Sequence, residues 1–284
     1  MPIKSVNEIV QAHESGRTVL SSFRKAPTSV TTQGAWADLA IAAGNPRPQY
    51  YVGSELTATL FDGNRGLYHG QNVSPSTKYL HRFNVVCPTA TSVPATFLLL
   101  DYLLFYPLVD MDSTDEQLLD NTITLPRYTD GSGVVAFLVA TTPFTGGGTS
   151  TIKYTNQNGT EGHFSTAVTS PTASVAIGSL VTGGTSLAGA YSPFYPLASG
   201  DTGIRKIESI TFSTPIGGVG VLVLAKVIAQ VYATEITAPN EVFFAMNRSR
   251  MPQIQDGAYL NLIMQGNGSI ASSVIMGEAE FMWG

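Results

Sequence analysis

From Tyr50 onward, hydrophobic and polar positions alternate in short runs, and the chain reads as one strand after another. The expected strands cover 50–61, 78–87, 95–109, 133–141, 149–156, 161–169, 173–181, 204–213, 219–234, 241–246, 258–265 and 270–282. Runs such as DGNRG, NVSPS, TDGSG, TGGG, VTGG, SGDTG and GNGS separate them and supply the backbone conformations that turns need. The clearest hairpin is TIKYTNQNGTEGHFSTAV. Ile152 and Tyr154 alternate there with Thr151, Lys153 and Thr155, and Asn158 with Gly159 tolerates the positive φ of a tight turn.

Two segments break the simple alternation. Residues 95–109 and 219–234 are apolar on both faces: Val219, Val221, Val223 and Ala225 on one, Leu222, Leu224 and Ile228 on the other. Such strands are covered on both sides, by a second sheet and by another lobe or subunit. Asp101 and Pro107 interrupt the first and Lys226 and Gln230 the second, so neither reaches the ~20 apolar residues of a membrane helix.

Helical spacing is confined to the ends of polar segments. Val6, Ile9, Val10 and His13 share a face, with Ser5 as a cap and Gly16 as a stop. A brief helix is expected at AWADLAIAAG. Another is expected at STDEQLLDN, where Ser113 and Glu116 have capping-box spacing. Between the first helix and NPRPQY no period is sustained. Residues 1–48 therefore read as an N-terminal arm and residues 49–284 as a β-sandwich domain with room for two lobes. Strands without alternating helices give a mainly β class, a jelly-roll-like antiparallel sandwich with a helical or extended arm.

Composition narrows the function. Only 12% of the 284 residues are charged, about half the usual share, which suits a surface that meets other copies. The net charge is -5, and only Arg17, Arg24 and Lys25 make a thin basic cluster, so direct nucleic-acid binding is not expected. One cysteine, Cys87, excludes an internal disulfide and a thiolate zinc site. The N-terminus lacks the apolar core of a signal peptide, and synthesis in the cytosol is expected.

Chemistry-bearing patterns are sparse. Asp110, Asp112 and Asp115, with Glu116 and Asp120, form the best cation candidate, but the EF-hand spacing fails at Asp115 and Asn121. His13, His69, His81 and His163 are widely spaced, without HExxH. Gly184, Ser186 and Ala188 approach a nucleophile elbow but lack its last glycine. Asp62, Glu55, Asp101 and Asp256 could supply a glycosidase pair, though nothing separates them from turn acids. No cofactor is expected. Aromatics in the AYSPFYPL loop, Tyr191, Phe194 and Tyr195, join Trp36, Arg17 and Arg24 as candidate interface residues.

The strings DGNRGLYHG, VSPSTKYLHRF, LLLDYLLFYPLVDMDSTDEQLLDNTITLPRYTDG, TIKYTNQNGTEG, SGDTGIRKIESITF, EITAPNEVFF and MPQIQDGAYLNLIMQGNGSIA resemble virion structural proteins of tailed bacteriophages. The resemblance covers residues 50 to 284. It implies a non-enzymatic particle component assembled in the bacterial cytoplasm. The role implied is a capsid decoration, or cement, protein whose partners are the major capsid protein and copies of itself, as a homotrimer, with no membrane partner. The alternatives are a tail, neck or fibre-base component that binds a glycan or receptor, and a glycan-active β-sandwich enzyme.

Overall fold

The computed structural model describes residues 3–173, 176–182, 192–247 and 251–284. In chain order the elements begin with helix α1 (Val6–Glu14), β1 (Thr18–Ala26), β2 (Trp36–Asp38), β3 (Ala43–Asn45) and β4 (Thr59–Leu60). Then come β5 (Lys78–Val86), the long β6 (Ala95–Asp110), β7 (Gln117–Leu118), β8 (Val134–Ala140) and β9 (Thr149–Asn156). After β10 (His163–Phe164) and β11 (Val168–Thr169) follow β12 (Ile204–Phe212), β13 (Val219–Ala233) and β14 (Asn240–Phe243). The helical turn α2 (Phe244–Asn247), β15 (Gln253–Ile254), β16 (Tyr259–Gln265) and β17 (Ile275–Trp283) complete the chain. The fold is mainly β, with three antiparallel sheets in a sandwich-like arrangement.

The middle sheet has the order β2-β16-β6-β13-β8, and its two edges are joined. Residues 178–181 bond to β8 on one side, through Gly178 N to Ala140 O (2.8 Å) and Val181 N to Leu138 O (2.8 Å). On the other side Leu180 N reaches Trp36 O (3.0 Å) and Asp38 N reaches Gly178 O (2.8 Å). The sheet is thus a small barrel, and closure removes its exposed edges. Its interior holds Leu100, Tyr102, Phe105, Phe137, Val223 and Tyr259 among others, packed edge to face.

The outer side of β6 and β13 explains the second apolar face. The sheet ordered β14-β5-β17-β1-β3 covers Phe97, Leu99, Ala229 and Val231 near one end. The sheet β10-β9-β12-β7 covers Leu104, Tyr106, Leu222 and Leu224 near the other. Register shifts between Leu224 and Ala225 and between Val227 and Ala229 re-aim the alternation, so one long strand serves both cores.

Several expectations are corrected. Residues 18–26, expected within an N-terminal arm of residues 1–48, form a strand of the body: β1 lies between β17 and β3 and pairs with β17 from Thr18↔Met282 to Lys25↔Ile275. Gly277 makes this close approach possible, since a Cβ there would come within 2.6 Å of the Phe23 ring. The Ala-rich stretch 35–44 holds β2 and the start of β3 instead of a helix. Helix α1 forms with the Ser5 capping box, but its buried residue is Ala12, while Val6 and Val10 face solvent. At 113–121 no helix forms: Glu116 Oε1 accepts from Ser209 Oγ (2.6 Å), and β7 pairs with β12. The expected strand at 50–61 is reduced to β4, and that at 161–169 splits into β10 and β11.

Candidate functional site

The barrel encloses an acid. Asp38 on β2 is fully enclosed and accepts from Tyr51 Oη (2.5 Å), Tyr102 Oη (2.7 Å) and its neighbour Ala40 N (2.9 Å). Burial pushes its carboxyl up, and the three donors oppose that rise. Burial also lifts both tyrosines well above their ordinary range, so both hydroxyls stay protonated and keep donating. Lys25 Nζ, buried on β1, donates to Pro46 O (2.6 Å) and Ala42 O (3.2 Å). Desolvation lowers its pKa to about 8 against the pull of Asp38.

A second buried acid sits outside the barrel wall, between the two covering sheets. Asp101 on β6 receives Arg127 through two bonds, Nε at 2.9 Å and Nη2 at 2.6 Å, and also Tyr259 N at 3.1 Å. Lys226, opposite Asp101 in the register, donates to Ser132 O and lies 5.0 Å from the centre of the Tyr128 ring. Desolvation pushes Asp101 up, and the guanidinium opposes it. The residues between the two hydrophobic cores are therefore ionic and locked.

A third cluster fixes a histidine tautomer. Lys78 Nζ, buried, donates to His69 Nδ1 (3.0 Å), so His69 Nε2 carries the proton donated to Ala258 O (3.0 Å). Burial first, and Lys78 second, depress His69 to about 4. A depressed folded-state value means the unfolded chain takes the proton first. Stability present above pH ~6.5 is lost as pH falls toward ~4, by on the order of 3 kcal/mol. An NMR titration of the His69 ring in the folded protein is expected to show a midpoint near 4. A midpoint near ~6.5 would contradict this geometry.

The candidate interface residues separate. Trp36 and Phe194 line one groove of about 340 Å³ at an end of the barrel, with Leu98, Val227, Tyr232 and Gln265. Phe194 packs edge-on to Phe137, 6.0 Å between centroids. Trp36 is buried, and its indole N–H has no hydrogen-bond partner among the described residues. Arg24 is exposed on β1, and Arg17, half-buried before that strand, donates from Nε to Ser15 Oγ (2.8 Å). Tyr195 is corrected as a contact residue: it is buried, and its hydroxyl bonds Ser150 Oγ (2.8 Å). Tyr191 and the 184–188 near match to a nucleophile elbow lie outside the described residues. Tyr232 and Gln265 were missed because their alternation reads as ordinary strand ends.

The acidic run makes turns. Asp110 Oδ1 accepts from Asp112 N (2.9 Å), and Asp115 N donates to Ser113 Oγ (3.2 Å). Asp62 accepts from Asn64 N, and Asp256 holds Val73 N and Ser74 N, so these two acids, like Asp101, serve local structure. Cys87 is buried, and desolvation pushes its thiol up to about 12, far from a reactive thiolate.

No protein-family model matches the chain, and no curated protein matches it. Among solved structures, "Structure of infectious bursal disease virus Gt strain" aligns with 94% of this chain and 81% of its own, at 9% identity and a TM-score of 0.16. A score that low establishes no shared fold.

The chemistry of these clusters is that of structural anchors. Even the His163–Asp201 contact (Nδ1 to Oδ2, 2.7 Å) shares its carboxylate with Tyr154 Oη (2.6 Å) and Asn156 Nδ2 (2.8 Å). That acid is held below its usual range by these donors, working against desolvation. No helix among the described residues is long and apolar enough to cross a membrane.

Proposed function

We propose that the chain is a non-enzymatic structural protein of a tailed-phage virion, working as a capsid decoration protein. The observation that carries this reading is apolar surface left over after the fold has closed its cores. Val6 (71% exposed) and Val10 on α1, Leu20 (56%) on β1 and Met276 on β17 face solvent on adjacent elements. Arg24 stands beside Met276 in the register. Exposed apolar side chains gathered on neighbouring elements mark a protein contact. The sparse charge suits close approach of subunits, and the resemblance of the strings quoted above names the setting.

The test is the number of copies in purified particles, by quantitative gel against the major capsid protein. Decoration requires on the order of tens to hundreds of copies, following the symmetry of the shell. About a dozen or fewer would move the chain to the tail or neck.

A second reading is favoured by the groove that holds Trp36. The aromatic side chains of Trp36, Phe194 and Tyr232 with the amides of Gln230 and Gln265 form the kind of polar-and-aromatic surface that a sugar ring fits. Glycan-array binding lost in Tyr232→Ala would support a receptor-binding component. An array with no bound glycan would remove this reading and leave the first intact.

A further inference from the structure

We propose that His13, His81 and Glu280 form a site for a divalent transition metal of the zinc class, tying α1 to the sheet beneath it. The three residues come from three elements: α1, β5 and β17. His81 Nδ1 lies 3.2 Å from Glu280 Oε2, and His13 Nε2 lies 3.7 Å from Glu280 Oε1. One ligand atom from each residue falls within 4.8 Å of the others. Tetrahedral zinc, bound at about 2.0–2.2 Å, places its ligand atoms roughly 3.4 Å apart. The three ligand atoms must draw closer together, and His13, whose side chain is 43% exposed on a helix surface, has room to adjust.

The backbone supplies a second observation. In the β5–β17 ladder Glu280 pairs with Arg82, and the next pair is Phe281 with Leu80. His81 is thus the extra residue of a bulge. Strict alternation would send His81 and Arg82 to opposite faces, but the bulge turns the imidazole to the side of Glu280. Bulges re-aim side chains in this way at sites of function. The Phe243 ring then packs edge-on against His81 at 5.9 Å.

Charge points the same way. Arg82 contacts Glu241 (3.1 Å), Glu278 (3.6 Å) and Glu280 (3.5 Å). Three carboxylates face one guanidinium, which leaves two negative charges for a divalent cation to neutralise. Two imidazoles with one carboxylate prefer zinc, copper or nickel over calcium or magnesium, which take oxygen ligands. Water completes the coordination on the exposed side.

The test is titration of zinc chloride into the untagged full-length chain by calorimetry, with thermal melts with and without EDTA. One equivalent is expected to bind and to raise the melting temperature, and magnesium is expected not to compete. His13→Ala, on the exposed helix face, is expected to weaken binding roughly tenfold or more, as is Glu280→Gln, while His163→Ala leaves it unchanged. Lack of a saturable equivalent, or His13→Ala binding as tightly as the parent, overturns the proposal. Equal loss in His163→Ala would place the metal at the Asp201 cluster and overturn it too.

Discussion

A chain lacking residues 1–48 is expected to lose cooperative folding altogether. The deletion removes β1, and with it the eight register pairs that cover one edge of β17. It removes β2, whose bonds to residues 178–181 and to β16 close the barrel. Phe23, Trp36 and Leu39, all buried, leave the cores. At about 1.5–3 kcal/mol each, these three side chains alone rival a typical domain's total of about 5–15 kcal/mol. Two open strand edges would also invite aggregation. The measurement is urea unfolding followed by circular dichroism and tryptophan fluorescence. A sigmoidal transition with the parent's slope would show that the segment is dispensable. Deleting only residues 1–15 removes α1 but no strand, and that shorter chain is expected to unfold cooperatively.

Replacement of Arg127 by Met is expected to destabilise the protein by about 3–5 kcal/mol, because it strands the Asp101 carboxylate between two cores. Asp101 is 0% exposed and would keep Tyr259 N and the interaction with the Tyr128 side chain, neither of which carries a positive charge. In this variant burial drives the acid still higher. A raised folded-state value means the folded form gains the proton first as pH falls, so the deficit against the parent shrinks toward acid pH. The double variant Asp101→Leu/Arg127→Met removes the charge with its partner and is expected to recover a large part of the loss. Denaturant midpoints of the three chains across pH decide the matter. A single variant within about 0.5 kcal/mol of the parent would show that the ion pair is not the anchor described.

The long strands were legible because alternation and length both favoured them. β5, β6, β8, β9, β12, β13, β16 and β17 lie where the apolar runs place them. β1 was hidden by its own pattern. Its inward positions include Ser21 and Lys25, and Leu20 points out, so the expected period dissolves. Lys25 is tolerated inside because two backbone carbonyls 17 and 21 residues away receive it, a pairing no local window contains. The double-sided strands gave the right inference, cover on both faces. One cover turned out to be the sheet's own closure through residues 178–181, which lie inside the strand expected at 173–181, but no local pattern shows that this segment bonds both edges of the sheet. The capping-box spacing at Ser113 misled because Glu116 found a strand partner, Ser209, 93 positions later. Of the candidate contacts, Trp36 and Phe194 do share a groove, but their neighbours Tyr232 and Gln265 are brought there by barrel geometry alone. The glutamate at 280 joins the two histidines through a bulge, and bulges leave no mark on alternation.

The central claim, a decoration role built on the face of α1, β1 and β17, is tested most directly by a residue-resolution map of the intact particle. The expected map shows this chain on the outside of the head, with Val6, Val10, Leu20 and Arg24 buried against the shell or a second copy. A map that leaves that face in solvent, or finds the chain only at the tail, contradicts the account.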